Sequence, residues 1–478
     1  MRFTMLTHST LLLSLFSTLV LARKNKYIVP GATWYDTDGN ILSAHAGGIV
    51  KVNETWYWFG QNERSEDKDL FSGINVYSSS DLLNWKNEGR ALSPIPGTDI
   101  GPEKVVERPK AVFNVLTQNW VLWFHADNST YGLLRQGIAT SPNVTGPYTF
   151  HETFRPFGNP SQDLGLFKDV DGEAYALYSN GDADTDHDNL ITRLNANFTN
   201  VEEVVYTFYN FDLEAPNILY TGKRYYALMS HKTGYRPNNV VVFSAEKLAG
   251  PWSVQSYIAA LGTRTWNSQS TFTITAGEGF SKSYIYCGDQ WATADQLYDS
   301  RYVWLPADID DRTGSFKINW HDIYTIDAKT GRITYPKGRD YEAEQGEITG
   351  LAYITLCPTC SGTQVVTGIE GNATVTIKNI IGTGQPQWLS VYYHNPDGLW
   401  GDNRGGVSVL SRTATYSVNG GVPVSIRQRS GSAGIILSQP LNVTFHAGGG
   451  NTLSFAGFNG GAAADLDKIV VYGNIYDD

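Results

Sequence analysis

The chain has 478 residues, a net charge of −11 at neutral pH and a pI near 5.3. That length exceeds one ordinary core and suits two or three domains. The acidic balance argues against nucleic acid or an anionic membrane as partner, and the abundance of aromatics and glycine (13 Trp, 28 Tyr, 20 Phe, 48 Gly) fits short strands joined by tight turns, with rings left to stack on ligands.

The N-terminus reads as a secretory signal. Arg2 supplies positive charge, Leu11 to Leu21 is mostly apolar, and Val20-Leu21-Ala22 fits a small-residue cleavage site. Residues 1–22 are expected to be removed, and their apolar run is short for a bilayer span. The mature protein is therefore expected outside the cell. Six Asn-X-Ser/Thr sequons, at Asn53, Asn128, Asn143, Asn197, Asn372 and Asn442, suit a glycosylated secreted chain. Cys357 and Cys360 stand in Cys-Pro-Thr-Cys, and Cys287 stands alone. Zinc needs four ligands, and no second pair exists. In oxidising surroundings the pair reads as a local disulfide and Cys287 as a buried thiol.

Five segments then repeat one plan: a lead residue, small residues or proline, an apolar strand, a turn and an aromatic-rich strand. They are "AGGIVKVNETWYWFG" from Ala46, "ERPKAVFNVLTQNWVLWFH" from Glu107, "DLGLFKDVDGEAYALYS" from Asp163, "EAPNILYTGKRYYALMS" from Glu214 and "QSTFTITAGEGFSKSYIYCG" from Gln269. The leads are 61, 56, 51 and 55 residues apart. That period suits a four-stranded propeller blade, so residues 23–336 are expected to form a five-bladed β-propeller. Runs such as "INVYSSSDLLNW" and "NNVVVFSAEKLAGPW" supply outer strands.

In such a ring the first strand of each blade lines the axis. Ala46, Glu107, Asp163, Glu214 and Gln269 would then surround it at one face. The second strand returns to that face, which places Glu63, His125, Asn180, His231 and Trp291 on the rim. A single hairpin-end acid is most simply a solvated one. Three acids in register across a fivefold repeat argue for a site. Carboxyls converging in an aromatic pocket suit glycoside hydrolysis, in which one protonated acid serves the leaving oxygen and a base activates water. Crowded like charges raise the acid's pKa. Clustered acids also bind metal. Asp182-Ala183-Asp184-Thr185-Asp186 begins like a calcium loop, but His187 and Arg193 stand where such a loop needs Gly and Glu.

The repeat resembles glycoside hydrolase family 43, inverting enzymes built on a five-bladed propeller. The resemblance implies that Glu214 is the general acid. It implies that Asp163, in "DLGLFKDVDGEAY", tunes that acid and holds the sugar. The family's base is an aspartate opening the first blade. Here that place reads Ala46-Gly47-Gly48, and alanine accepts no proton. Together with "PGATWYDTDGNILSAHAGGI", "VERPKAVFN" and "WNSQSTF", the missing base resembles the fungal exo-β-1,3-galactanases of the family. That branch implies Gln269 in the base position and Glu107 as a substrate-binding acid, with Glu63, Tyr131, Asn180 and Trp291 around the sugar. By physical chemistry alone Glu107 is the better base. An amide could serve only by positioning water or as an imidic tautomer in a relay. The implied activity is hydrolysis of β-1,3-galactan main chains of arabinogalactan, with inversion, by a monomer that needs no cofactor for catalysis. An arabinan- or xylan-directed relative and a non-catalytic galactan-binding lectin are the alternatives.

After Pro336 the texture changes. "NATVTIKNI", "WLSVYYHN", "TATYSVNG" and "PLNVTFHAGGGNTLSFAG" alternate apolar and polar residues, so 337–478 is expected to be a β-sandwich of jelly-roll type. This part resembles a family 35 carbohydrate-binding module. The resemblance implies a structural Ca2+ held by Glu342, Glu344 and Asp467, the first two reaching one cation from one strand face. It also implies a sugar site in the end loops, for which Asn459, Tyr392 and Arg404 are the candidates.

Overall fold

A computed structural model describes residues 24–180, 188–292, 294–398 and 411–474. The expected signal segment, the Asp182–Asp186 loop and Arg404 lie outside the described residues.

The N-terminal part forms five four-stranded antiparallel sheets, each with its strands in sequence order. The first holds β1 (His45–Val52), β2 (Thr55–Gln61), β3 (Ile74–Ser79) and β4 (Lys86–Leu92). The second holds β5 (Val105–Asn114), β6 (Asn119–Asp127), β7 (Arg135–Ser141) and β8 (Thr149–Phe154). β9 (Leu164–Lys168), β10 (Ala174–Ser179), β11 (Asn189–Leu194) and β12 (Val201–Phe208) make the third. β13 (Leu213–Tyr220), β14 (Tyr225–His231), β15 (Val240–Ala245) and β16 (Ser256–Tyr257) make the fourth, and β17 (Gln269–Ala276), β18 (Ser283–Gln290), β19 (Arg301–Asp310) and β20 (Ser315–Ile318) the fifth.

The five first strands neighbour one another in a closed ring, β1 beside β5 and so on round to β17 beside β1. Each sheet packs between two others, so its middle strands are buried on both faces. β10 (AYALYS) and β15 (VVVFSA) are buried at all six positions. Strands buried on both faces read as continuous apolar runs rather than alternating ones. Large rings fill the seams. Trp58, Trp85 and Trp304 form one cluster with Phe272, joining the first sheet to the fifth. The ring is latched by Ile28, which exchanges both backbone hydrogen bonds with Tyr324 at 2.8 and 3.1 Å.

The C-terminal part forms two further sheets. One places Asp465–Asn474 beside Pro386–His394 and Gln364–Thr367, and the other places Thr374–Gly382 beside Gly448–Gly457. Alternate residues of both, such as Val391 and Ile469 against Val375 and Phe455, fill one shared core. Cys357 and Cys360 are disulfide-bonded, and Cys287 is a buried free thiol.

Candidate active site

Three of the first strands open on the same irregularity. In β5 the pairing runs Glu107 to His125 and resumes at Lys110 to Trp123. In β13 it runs Glu214 to Ser230 and resumes at Asn217 to Leu228. In β1 it runs His45 to Gln61 and resumes at Gly48 to Phe59. The residue after each lead has positive φ: 56° at Arg108, 55° at Ala215 and 49° at Ala46. Such a β-bulge bends the strand and re-aims the side chain beside it.

This register corrects the expected lead of the first sheet. Ala46 is the counterpart of Arg108 and Ala215, and the lead itself is His45. The offset was hidden because Gly47-Gly48 lacks the proline that marks the bulge at Pro109 and Pro216. His45 is nonetheless committed elsewhere. Its Nδ1 lies 3.1 Å from Asp289 Oδ1, its ring stacks on Tyr302, and Ala46 N donates to Asp289 Oδ2 at 2.5 Å.

Glu214, Gln269 and Asp163 come together as expected, and Arg108 joins them. Gln269 Nε2 donates to Glu214 Oε1 at 2.8 Å and to Ser230 Oγ at 3.1 Å. Gln269 Oε1 accepts from Arg108 Nη2 at 2.5 Å and from Trp291 Nε1 at 2.9 Å. Arg108 Nε also pairs with Asp163 Oδ2 at 2.8 Å, and that oxygen accepts from Ala215 N at 3.0 Å. Burial, and next the Asp163 charge, push the Glu214 carboxyl up to about 8, against the pull of Arg108 and Lys232. A carboxyl of that kind holds its proton at neutral pH and can give it to a leaving group.

The same contacts define Gln269 chemically. Guanidinium and indole N–H groups are donors only. Two of them occupy the amide oxygen, so a proton there would have no acceptor. Gln269 is thus held as the ordinary amide and not as the imidic tautomer.

Glu107 sits in a second network. Its Oε1 accepts from Tyr131 at 2.9 Å and Tyr235 at 3.2 Å. Its Oε2 lies 3.3 Å from His125 Nδ1, and His125 Nε2 lies 2.9 Å from Asp127 Oδ2. Burial lowers the His125 pKa, but the two carboxylates outweigh it and raise the ring to about 9. Glu107, His125 and Asp163 bring one donor atom each within 4.8 Å of one another. Arg108 already pairs with Asp163 at 2.8 Å, and the His125 ring lies between the Glu107 and Asp127 carboxylates. Glu63 is half-buried at the rim, where burial and the Glu107 charge push it up to about 8. Asn180 is buried and accepts from Asp188 N at 3.0 Å. His231 ends β14, paired with Leu213.

Trp291 is buried, and its ring meets Tyr235 edge-on at 5.5 Å. Sequence reasoning missed Arg108, Ser230 and Tyr235. Arg108 lies within the quoted "VERPKAVFN", but nothing in a pattern distinguishes a buried arginine from a solvated one.

In the C-terminal sheets the acids gather as expected, by a different local route. Glu342 ends the strand Arg339–Glu342, and Glu344 sits in the 3-10 turn Ala343–Gln345 that follows, so the two do not share a strand face. Ser361 ties Glu342 to Asp467: its Oγ donates to Glu342 Oε1 at 2.7 Å and its N to Asp467 Oδ1 at 3.0 Å. Glu342 Oε2 and Glu344 Oε2 are buried with no hydrogen-bond partner. Burial, and then the Glu342 and Glu344 charges, raise Asp467 to about 6. Orphaned acid oxygens that repel one another are what a hard divalent cation relieves, so the residues fit Ca2+. Asn459 is exposed in a turn at φ 49°. Tyr392 is not offered to a ligand loop. Its hydroxyl donates to Asp322 of the N-terminal part at 2.7 Å, beside Tyr472 on the same oxygen at 2.8 Å.

Residues 43–279 match the glycosyl hydrolases family 43 profile. Among solved structures, the exo-β-1,3-galactanase of Phanerochaete chrysosporium with galactose is 38 % identical, with a TM-score of 0.85, over 93 % of this chain and 100 % of that one. A substituted form of that enzyme holding β-1,3-galactotriose matches equally. A family 43 β-1,3-galactosidase with galactodeoxynojirimycin is 29 % identical, with a TM-score of 0.56, over 62 % of this chain and 99 % of that one. The exo-β-1,3-galactanase of Clostridium thermocellum, 24 % identical over 93 % and 99 % with a TM-score of 0.61, shares the fold. No curated protein sequence matches. With the matched region carrying Glu107, Asp163, Glu214 and Gln269, and a 38 % identical relative covered end to end, the chain belongs to glycoside hydrolase family 43.

Proposed function

We propose that the protein is a secreted exo-acting β-1,3-galactanase that releases sugar from β-1,3-galactan main chains of arabinogalactan with inversion. The observation that carries the reading is the Glu214–Gln269 pair, a protonated carboxyl bonded to an amide, in a ring whose first sheet opens without an aspartate and in a chain like the P. chrysosporium enzyme. Glu214 is the general acid. Asp163 keeps it protonated by charge and anchors the bulge through Ala215 N. Gln269 occupies the base position. An inverting pair is separated by about 6.5–9.5 Å with water between, so the 2.8 Å contact to Glu214 must open when sugar enters. Glu107, Glu63, Tyr131, Asn180 and Trp291 surround the sugar.

A specific observation favours a second assignment of the base. The Gln269 oxygen is saturated by donors, whereas Glu107 faces the cationic His125. A carboxylate paired with that imidazole can accept a proton from water, and Glu107 is then the base with Gln269 aligning the acid.

In the same reading, residues 1–22 are a signal, 23–336 a five-bladed propeller and 337–478 a β-sandwich carbohydrate-binding module with Asn459 at its sugar site. Glu342, Glu344 and Asp467 would hold Ca2+ there, supplying structural charge neutralisation and no chemistry. The chain is a monomer, glycosylated at its exposed sequons. Reducing-sugar release from β-1,3-galactan, compared with arabinan and xylan, tests the reading. Release from arabinan or xylan alone would reassign the substrate, and binding without release would make the protein a lectin.

A further inference from the structure

The end of the strand Val424–Arg429 in the C-terminal domain reaches the active site by two routes. In the first, Arg429 Nη1 donates to the Trp291 carbonyl at 2.6 Å, and Trp291 Nε1 donates to Gln269 Oε1 at 2.9 Å. In the second, the Ser430 carbonyl accepts from Arg264 Nη1 at 3.1 Å and Asn267 Nδ2 at 3.2 Å. The Gly431 carbonyl accepts from Arg264 Nη2 at 3.3 Å. Arg264, Thr265, Trp266 and Asn267 all have φ between 50° and 56°. This is a left-handed turn made without glycine, and only Ser268 separates it from Gln269. L-residues avoid that conformation, and it persists only where its surroundings hold it. Arg264, Asn267 and Ser430 are all buried.

We propose that Arg429, with the Ser430 and Gly431 carbonyls, forms a set of positioning groups for the active site. The C-terminal domain holds Gln269 from both sides, through Trp291 and through the left-handed turn. The proposal rests on Gln269 belonging to the catalytic machinery. It makes the C-terminal domain more than an anchor on polysaccharide, because its loss would slow cleavage of short soluble substrates that need no anchoring.

The test is a double-mutant cycle in the full-length protein on β-1,3-galactotriose. Arg429→Met should lower kcat about ten-fold with KM little changed, since misplacing a catalytic group costs turnover rather than binding. Arg429→Lys, which keeps a donor, should restore most of it. In a Gln269→Ala background, followed at enzyme excess, Arg429→Met should change the rate by less than about two-fold, because its route of action is gone. Wild-type kcat in Arg429→Met, or losses that multiply in the double variant, would overturn the proposal. If Arg429→Met does not fold, Arg264→Gln enters the same cycle with the same two refuting outcomes. A fully active Gln269→Ala overturns it by removing its footing. Absence of galactotriose cleavage by the wild type is a separate failure, that of the proposed activity.

Discussion

Glu214→Gln should trade activity for stability, and the trade should depend on pH. The native carboxyl titrates near 8 instead of the ordinary 4.5. A raised folded-state pKa means the native state holds a proton that the unfolded chain releases. That contribution is complete below 4.5 and is lost as pH rises through about 8. From pH 4.5 to 7 the native state therefore loses ground over about 2.5 pH units, at about 1.4 kcal/mol each, or roughly 3 kcal/mol. Glu214 is half-buried, and solvent screening reduces this to about 1–3 kcal/mol. Glutamine keeps the shape and cannot ionise. At pH 7 the variant should melt several degrees above wild type, at about 2–4 °C per kcal/mol. At pH 4 the two should melt together. Hydrolysis of galactotriose should fall by about 10² to 10⁴-fold at both pH values. Thermal unfolding at pH 4 and pH 7, beside the hydrolysis assay, reads all of this. An equal melting shift at both pH values would place the effect in packing and refute the electrostatic argument.

Three further outcomes are expected. Asp163→Asn removes the neighbouring charge that raises Glu214, so the basic limb of the kcat/KM profile should move to lower pH; an unmoved limb would sever the two residues. Gln269→Ala and Glu107→Gln, assayed together on galactotriose, separate the two base assignments: an active Gln269→Ala beside a dead Glu107→Gln makes Glu107 the base. Chelation should lower the melting temperature of the C-terminal domain, since a ligand bound only by the folded state stabilises it. Below that transition galactotriose cleavage should persist, and activity restored only by added Ca2+ would contradict a purely structural ion.

Much of the ring was legible because each sheet repeats the same lead, turn and aromatic strand. Glu107, Glu214 and Gln269 lie within the first three residues of β5, β13 and β17, and Asp163 immediately precedes β9. Their second-strand partners fall within two residues of the expected rim positions, as in Glu107 with His125. The first repeat was misread by one residue, because its bulge carries Gly47 where the other two carry Pro109 and Pro216, so nothing in the sequence marks it. Tyr392 was misread for a different reason. An aromatic on a strand of the C-terminal sheets looks the same in sequence whether it faces a ligand or the N-terminal part, and only Asp322 on the far side decides. The turn at Arg264–Asn267 left no trace, since only Asn267 among its four residues is of a type that visits positive φ readily, and one asparagine does not mark a run of four.

The latch between Ile28 and Tyr324 bears on how the chain folds. The first sheet is synthesised early, yet Trp58 and Trp85 pack against Phe272 and Trp304. Until those late residues emerge, the first sheet has no second wall and its indoles remain open to water. Contacts of such sequence separation cost loop entropy before they return any stability, so ring closure should be slow and late. A nascent chain with that surface exposed is prone to aggregate. Deleting a few residues around Ile28 would leave every sheet intact and still shorten the life of the closed ring, because the seam would then open without first breaking the Ile28–Tyr324 bridge.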